Sequence, residues 1–330
     1  MTASTQGTLR VRVRVARRVR EAEGIDSFEL VREDGGTLPA FSAGSHIDVH
    51  VPGAAPGSNV VRQYSLCNDA AENNRYRIAV LRDPASRGGS AGMHDAVHEG
   101  DVLTIGAPRN LFALHDSPRS LLLAGGIGVT PILCMAQRLA ATGADFEMHY
   151  CARSRERMAF AGEIEAAPFA DRVHLHFDDG DASQKLDLPA LIATPDAGTR
   201  IYVCGPQGFI DHVVSTAKAR GWPADRVHLE YFGAAPQDHS ADDAFEVKIA
   251  SSGQTYTVPA GQSITQALLA HGVEIMVSCE QGVCGTCITR VLEGTPDHRD
   301  LYFTDDEKAS GNEFTPCCSR SKTPLLVLDL

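Results

Sequence analysis

The sequence predicts a multidomain chain in which an antiparallel β-barrel is followed by an α/β domain built on a parallel sheet and then by a smaller α+β domain. Three observations predict this. Residues 8–111 carry several short runs in which apolar and polar residues alternate, the period of a strand with one buried face. From about residue 115, short apolar runs are followed by glycine turns and helix-periodic segments, the order that makes a parallel sheet with crossover helices. Nearer the carboxyl end, 278-SCEQGVCGTCITR-290 gathers three of the nine cysteines into nine residues. The expected divisions are 1–114, 115–233, a linker at 234–244, and 245–330.

A hydrophobic content of 43% over 330 residues is enough for two or three separate cores. A net charge of −12 excludes nucleic acid as the main partner, since a phosphate-binding surface needs clustered basic residues. The charge is unevenly spread. Arg10, Arg12, Arg14, Arg17, Arg18 and Arg20 crowd the first twenty residues, whereas from Gln237 onward 14 acidic residues stand against 6 basic ones. That acidic end is either a solvated surface or a docking face for a basic partner. Cys67, Cys134, Cys151, Cys204 and Cys318 are scattered singly, a pattern suited to a reducing compartment rather than to a disulfide framework. MTASTQGTLRVRVRV lacks the continuous apolar core of a secretion signal, and no apolar run is long enough to span a bilayer. A cytoplasmic protein with no membrane contact is expected.

Taken in order, Val11, Val13 and Val15 alternate with arginines in the first strand, the arginines forming its solvated face. Similar runs are 46-HIDVHV-51, 75-RYRIAVL-81 and 101-DVLTIG-106, at the spacing of a barrel or sandwich. The run 121-LLLA-124 reads as a strand covered on both faces. A helix follows over 131–143, with Thr130 as its cap, Pro131 at its first position and Gly143 at its end. Strand and helix recur at 146-FEMHY-150 and 201-IYVCGPQGFIDHVVSTAKARG-221. Two further strands, 245–251 and 254–258, precede a helix announced by Ser263 and Gln266 in capping-box spacing and ending near Gly272.

The cysteines carry the strongest chemistry. Cys279, Cys284 and Cys287 are separated by four and two residues, and 29 residues lie between Cys287 and Cys317. Structural zinc favours two close couples, whereas the four-then-two gap is the plant-type spacing of a 2Fe–2S cluster. Gly282 and Gly285 let such a loop wrap closely and turn backbone N–H groups toward the sulfurs. A dithiol at Cys284 and Cys287 is the competing reading, but it leaves Cys279 and Cys317 without a role. Spacing alone does not settle the part of Cys318 beside Cys317.

In 123-LAGGIGVTP-131, Gly125, Gly126 and Gly128 form a strand-to-helix turn that brings backbone close to a pyrophosphate. A second such turn, 203-VCGPQGF-209, places Cys204, Gly205 and Pro206 at the sheet's carboxyl edge, where α/β sheets bind ligands. In 62-RQYSLCN-68, Arg62 offers a fork for phosphate, Tyr64 a flat ring and Ser65 a hydroxyl. Gly88, Gly89 and Ser90 in 86-SRGGSAG-92 make either a phosphate nest or a plain loop. His174 and His176 share one face of a strand and read as structural or solvated.

These motifs together resemble the phthalate dioxygenase reductase family, particularly its vanillate O-demethylase reductase-like members. The resemblance covers nearly the whole chain in the family's order of flavin barrel, nicotinamide domain and plant-type ferredoxin domain of β-grasp form. It implies that Arg62, Gly88, Gly89 and Ser90 hold the flavin phosphate. Tyr64 and Ser65 would line the isoalloxazine, with Ser65 near N5, and Thr130 and Cys204 would lie at the flavin–nicotinamide contact. Phe232 of 230-EYFG-233 would stack on the flavin. For NAD the implied residues are Gly125, Gly126, Gly128, Thr130, Pro131, Arg153, Cys204, Gly205 and Pro206. Cys317 would be the fourth cluster ligand, with Cys318 at a position the family often fills with an apolar residue. FMN rather than FAD is implied, and NADH, although Arg153, Arg155 and Arg157 suit the extra phosphate of NADPH.

The activity so implied is electron transfer from NADH through flavin and a 2Fe–2S cluster to the oxygenase component of a multicomponent Rieske-type system, an aromatic dioxygenase or O-demethylase, docking on the acidic ferredoxin domain. No protein nucleophile or acid–base pair is required, because the cofactors carry the chemistry. A haem monooxygenase is the second possible acceptor. A zinc- or redox-sensing interaction protein is the alternative from another class, with no reason to keep the flavin and nicotinamide turns. A monomer is expected.

Overall fold

The alternation of valine and arginine at the amino end forms β1 (Arg10–Ala22), with Val11, Val13 and Val15 buried and Arg10, Arg12 and Arg14 exposed. The computed structural model describes residues 10–52, 59–234 and 237–330, so Leu9 of the first run and residues 235–236 of the expected linker lie outside the described residues. The chain divides into two compact units, Met1–Glu230 and Tyr231–Leu330.

The first unit begins with the barrel. After β1 come β2 (Ile25–Arg32), β3 (Ser45–Pro52), β4 (Asn59–Ser65), β5 (Tyr76–Leu81), helix α1 (Gly89–Ala96), β6 (Val102–Gly106) and the short β7 (Arg109–Asn110). The strand order is β4-β3-β6-β1-β2-β5, with β7 on β3 and every pairing antiparallel. Leu66, next after β4, bridges Ile78 in β5 and so brings the two ends of the sheet together. Closure hides the edges that an open sheet exposes. Val13, Phe28, Ile47, Val49 and Tyr76 fill the interior with no exposed surface.

Strand and helix then alternate as β8 (Arg119–Gly125), α2 (Val129–Thr142), β9 (Asp145–Ala152), α3 (Ala161–Ala166), β10 (Val173–Phe177), α4 (Leu188–Leu191), β11 (Thr199–Cys204), α5 (Gln207–Ala219) and β12 (Val227–Glu230). The sheet is wholly parallel in the order β10-β9-β8-β11-β12. The chain winds outward from β8 to β10, then crosses back to β11, so a crevice opens between the carboxyl ends of β8 and β11. Helix α2 starts two residues before the expected Pro131, because a 3-10 turn over Gly126–Gly128 runs directly into it. Gly128, not Thr130, occupies the cap position, and Gly143, with φ 69°, ends the helix as expected.

Barrel and sheet share one apolar contact zone, in which Cys67, Ala79 and Phe112 pack with Ile132, Met135 and Tyr202. Arg77 of β5 crosses it, its guanidinium making two 2.7 Å hydrogen bonds to the Glu163 carboxylate of α3 and lying over the Phe160 ring.

The second unit contains β13 (Phe245–Ile249), β14 (Thr255–Val258), α6 (Ile264–Leu269), β15 (Thr289–Glu293), β16 (Pro296–Asp297), α7 (Asp305–Ser310), β17 (Glu313–Phe314), β18 (Arg320–Ser321) and β19 (Leu325–Leu328). Its sheet runs β14-β13-β19-β15-β17, with β19 parallel to β13 and antiparallel to β15. This is the β-grasp arrangement, with α6 entered through the expected Ser263–Gln266 capping box. Val247, Ile264, Leu268, Phe314 and Leu326 form its core. Asp242, from the segment read as a linker, pairs with Arg299 and Arg320 and is held within this unit. Among the described residues no helix is long and apolar enough to cross a membrane.

Candidate functional site

At the crevice, the two glycine turns meet backbone to backbone. A Cβ on Gly128 would come within 2.3 Å of the Cys204 carbonyl oxygen, and one on Gly205 within 3.0 Å of Gly125 Cα. Gly125 in turn lies under Phe209 and Pro206. These approaches require bare backbone, which is why the sequence has glycine there. No side chain caps the start of α2, but the Val129 N–H there is already taken by the Gly126 carbonyl of the 3-10 turn, so an anion at this end would meet the glycine turn itself. The buried Thr130 turns its hydroxyl back, donating to the Ile127 carbonyl at 3.1 Å, and Pro131 is buried in the first turn of α2.

Of the three arginines after β9, Arg155 is tied to Glu165 and Arg157 to Glu23. Arg153 is exposed just past the carboxyl end of β9.

In the barrel, Arg62 and the Gly88–Ser90 segment come together. Arg62 donates to the Arg87 carbonyl at 3.1 Å, and its stem lies so close to Gly89 that a Cβ there would meet Arg62 Cγ at 2.5 Å. Gly88 takes a left-handed φ of 89° and starts α1 without a capping side chain. Gly89 and Ser90 are therefore the first helical residues rather than a loop, and the cradle is a helix N-terminus beside a guanidinium, a combination that suits a phosphate dianion. Ser90 Oγ accepts from the Asp83 N–H at 3.1 Å. Tyr64 packs against the barrel core, and burial raises its phenol above the usual value.

Ser65, at the end of β4, approaches the parallel sheet. Its hydroxyl is 3.5 Å from Glu230 Oε2 at the end of β12, and Glu230 stands beside Cys204 in the strand register. Burial pushes the Glu230 carboxyl up to about 8, with the Ser65 hydroxyl pulling the other way. Burial likewise raises the Cys204 thiol well above its ordinary value, the Glu230 carboxylate adding to the effect. Glu230 went unnoticed in the sequence because a lone glutamate at a strand end carries no signal. Its neighbours are supplied by β4 and β11.

In the second unit, the thiols of Cys279, Cys284, Cys287 and Cys317 converge: Cys279 is in hydrogen-bond reach of Cys284 and Cys317, and Cys317 of Cys287 and of the adjacent Cys318. The Gln281 N–H donates to Cys279 Sγ at 3.4 Å. Gly282 and Gly285 have φ of 72° and 66°. A Cβ at Gly282 would strike Cys318 Sγ at 2.4 Å, and one at Gly285 the Tyr302 ring at 2.5 Å. Cys318 is buried behind the loop, 3.2 Å from Thr315 Oγ1. Asp300, also missed in the sequence, has its carboxylate accept from the Tyr302 and Phe303 N–H groups at 3.2 and 2.9 Å, fixing the segment on which the loop rests. Four soft thiols in one pocket with N–H groups aimed at sulfur fit an iron–sulfur cluster. Phe232 belongs to this unit and is exposed.

The family model of the 2Fe-2S iron-sulfur cluster binding domain matches residues 247–322, and that of the dimethylamine monooxygenase subunit DmmA-like N-terminal domain matches residues 108–227. The chain is 55% identical over 310 residues to the vanillate O-demethylase oxidoreductase of Pseudomonas sp. (strain HR199 / DSM 7063), covering 94% of this chain and 96% of that one. Among solved structures, it resembles phthalate dioxygenase reductase, a modular structure for electron transfer from pyridine nucleotides to [2Fe-2S], at 40% identity and TM-score 0.76 over 98% of both chains.

The chain belongs to the phthalate dioxygenase reductase family.

As a member of the phthalate dioxygenase reductase family it is an oxidoreductase that joins a flavin barrel, a pyridine-nucleotide domain and a 2Fe–2S ferredoxin domain. This reductase is also similar to an intact type IV self-sufficient cytochrome P450 monooxygenase, at 38% identity and TM-score 0.82, over 97% of this chain but 41% of that one.

Proposed function

We propose that this reductase carries electrons from NADH, through FMN and its 2Fe–2S cluster, to the oxygenase component of a Rieske-type system, an aromatic dioxygenase or O-demethylase. The observation that carries the reading is the meeting of Ser65, Cys204 and Glu230 where the barrel abuts the switch point of the parallel sheet. A flavin held on the barrel side and a nicotinamide held on the sheet side would be neighbours there. When bound, nicotinamide supplies a hydride, flavin takes two electrons and releases them singly, and the cluster accepts one at a time.

The chain's own residues bind and orient. Arg62 and the first turn of α1 would take the phosphate of FMN. Tyr64 and Ser65 would line the ring. Gly125, Gly126 and Gly128, with the start of α2, would take the pyrophosphate. Gly205 and Pro206 would border the nicotinamide, with Thr130 and Cys204 excluding water between the two rings. Cys279, Cys284, Cys287 and Cys317 would hold the cluster. Relatives include the phthalate 4,5-dioxygenase oxygenase reductase subunit of Pseudomonas putida and the carnitine monooxygenase reductase subunit of Escherichia coli (strain K12), which supports an oxygenase as acceptor. The acidic ferredoxin domain would dock on it. A haem monooxygenase is the second reading, favoured by the likeness to the self-sufficient P450.

The test is an anaerobic NADH titration followed by the visible spectrum. Bleaching of both flavin and iron–sulfur bands, with more than one NADH consumed per flavin, is the expected result. A colourless protein holding zinc would overturn the reading in favour of a sensor.

A further inference from the structure

A cluster of histidines lies on β9 and β10, to one side of the crevice strands β8 and β11, and the electron-transfer reading makes no use of it. His149 of β9 and His174 of edge strand β10 are direct partners in the parallel ladder, with ring centroids 4.8 Å apart and planes 22° from parallel. His149 Nε2 lies 3.1 Å from Glu147 Oε1, and His174 Nε2 lies 3.2 Å from the same oxygen. The other carboxylate oxygen of Glu147 is taken by Arg119, which leaves Oε1 for the two imidazoles.

The hydrogen bonds around His149 determine which of its nitrogens carries the proton. The Gln184 carbonyl can only accept, so His176 Nδ1, 2.9 Å away, is the donor. His176 Nε2 is then a bare acceptor, and His149 Nδ1, 2.9 Å from it, must donate to it. A neutral His149 is left with a bare Nε2 that faces a carboxylate oxygen. Two lone pairs at that distance repel unless a cation lies between them.

We propose that Glu147, His149 and His174 form a binding site for a divalent transition-metal ion of the zinc class. Their ligand atoms all lie within 4.8 Å of one another. Two ligands each about 2.1 Å from a tetrahedral zinc stand roughly 3.4 Å apart, close to the nitrogen–oxygen spacings here. Two imidazoles and one carboxylate are a zinc-type set that leaves a fourth position open, and His174, half exposed, opens that position to solvent. His176 and the Gln184 carbonyl act as the outer shell that fixes the His149 tautomer. The ion would tie edge strand β10 to β9. Along the sequence His174 and His176 read as structural or solvated strand residues, because the parallel register that sets His174 against His149 is not visible along the chain.

The test is calorimetric titration of the untagged protein, loaded with flavin and cluster, with Zn2+ alone, while the visible spectrum is followed. One saturable equivalent that leaves the spectrum unchanged is expected, and His174→Ala and Glu147→Gln should each weaken it by about tenfold or more. The retained visible spectrum of each variant shows that it is folded. No saturable binding, binding of equal strength in both variants, or heat that accompanies bleaching of the cluster would each overturn the proposal.

Discussion

Ser65 Oγ lies 3.5 Å from Glu230 Oε2, linking the end of a barrel strand to the end of a sheet strand 165 positions away. Burial raises Glu230 to about 8 from an ordinary 4.5. A folded-state value above the unfolded one means that the folded protein holds its proton more tightly. This contribution to stability is fully present below about pH 4.5 and is lost as pH rises through 8. Glu230→Gln, which mimics the protonated form, should raise Tm relative to the parent at pH 9 and leave it nearly unchanged at pH 5. An equal offset at the two pH values would show that Glu230 titrates normally.

Gly128→Ala should damage NADH use by close approach alone, since Gly128 has ordinary helical φ and its added methyl meets the Cys204 carbonyl. Overpacking of this kind costs about 1–3 kcal/mol, roughly a tenfold or larger loss in kcat/KM for NADH if it falls on the bound state. Gly162→Ala, in open space on α3, is the control and should be neutral. Similar kinetics for the two variants would count against the crevice as the nucleotide site.

Cys317→Ala should lose the cluster, read as iron content and the visible bands. Cys318→Ala should keep it, because Cys318 sits behind Gly282 and bonds Thr315. A cluster lost in the Cys318 variant and retained in the Cys317 variant would exchange their roles.

Arg155 and Arg157 are already paired with glutamates, so Arg153 remains to meet a 2′-phosphate. Arg153→Ala should reduce residual activity with NADPH several-fold while holding kcat/KM for NADH within a factor of about two. An equal fall with both nucleotides would separate Arg153 from cofactor choice.

Acidic residues Asp305 and Asp306 open α7. If the ferredoxin domain docks through its charge, electron transfer to cytochrome c should slow as salt rises, since screening shortens the reach of exposed charges to about 3 Å at 1 M. Asp305→Asn with Asp306→Asn should flatten that dependence. Rates insensitive to salt in the parent protein would rule out electrostatic docking.

The parts of this molecule legible in the sequence are those whose chemistry is written locally. The Cys279–Cys287 spacing, the Gly125–Gly128 turn and the Ser263 capping box each need only neighbouring residues, and the strand alternation of β1 needs only its own length. Glu230 and His149 were not legible, because each acquires its meaning from a partner brought in by strand register. Helix α1 was hidden for a different reason: glycine and serine read as loop, yet here Gly88 supplies the left-handed turn that starts a helix. Pro131 misled by two residues because the preceding 3-10 turn is continuous with α2.

In the second unit, β19 lies between β13 and β15, so the strand at the centre of the sheet is also the last of the unit to be synthesised. Until it arrives β13 and β15 have no partner in common, and the core around Val247 and Leu326 cannot close. Cys279, Cys284 and Cys287 therefore leave the ribosome on a segment without a finished scaffold, and Cys317 follows only shortly before β19. The pocket formed by the four thiols is therefore the last part of this unit to gain a finished scaffold, whereas the first unit has its own core, complete before Tyr231.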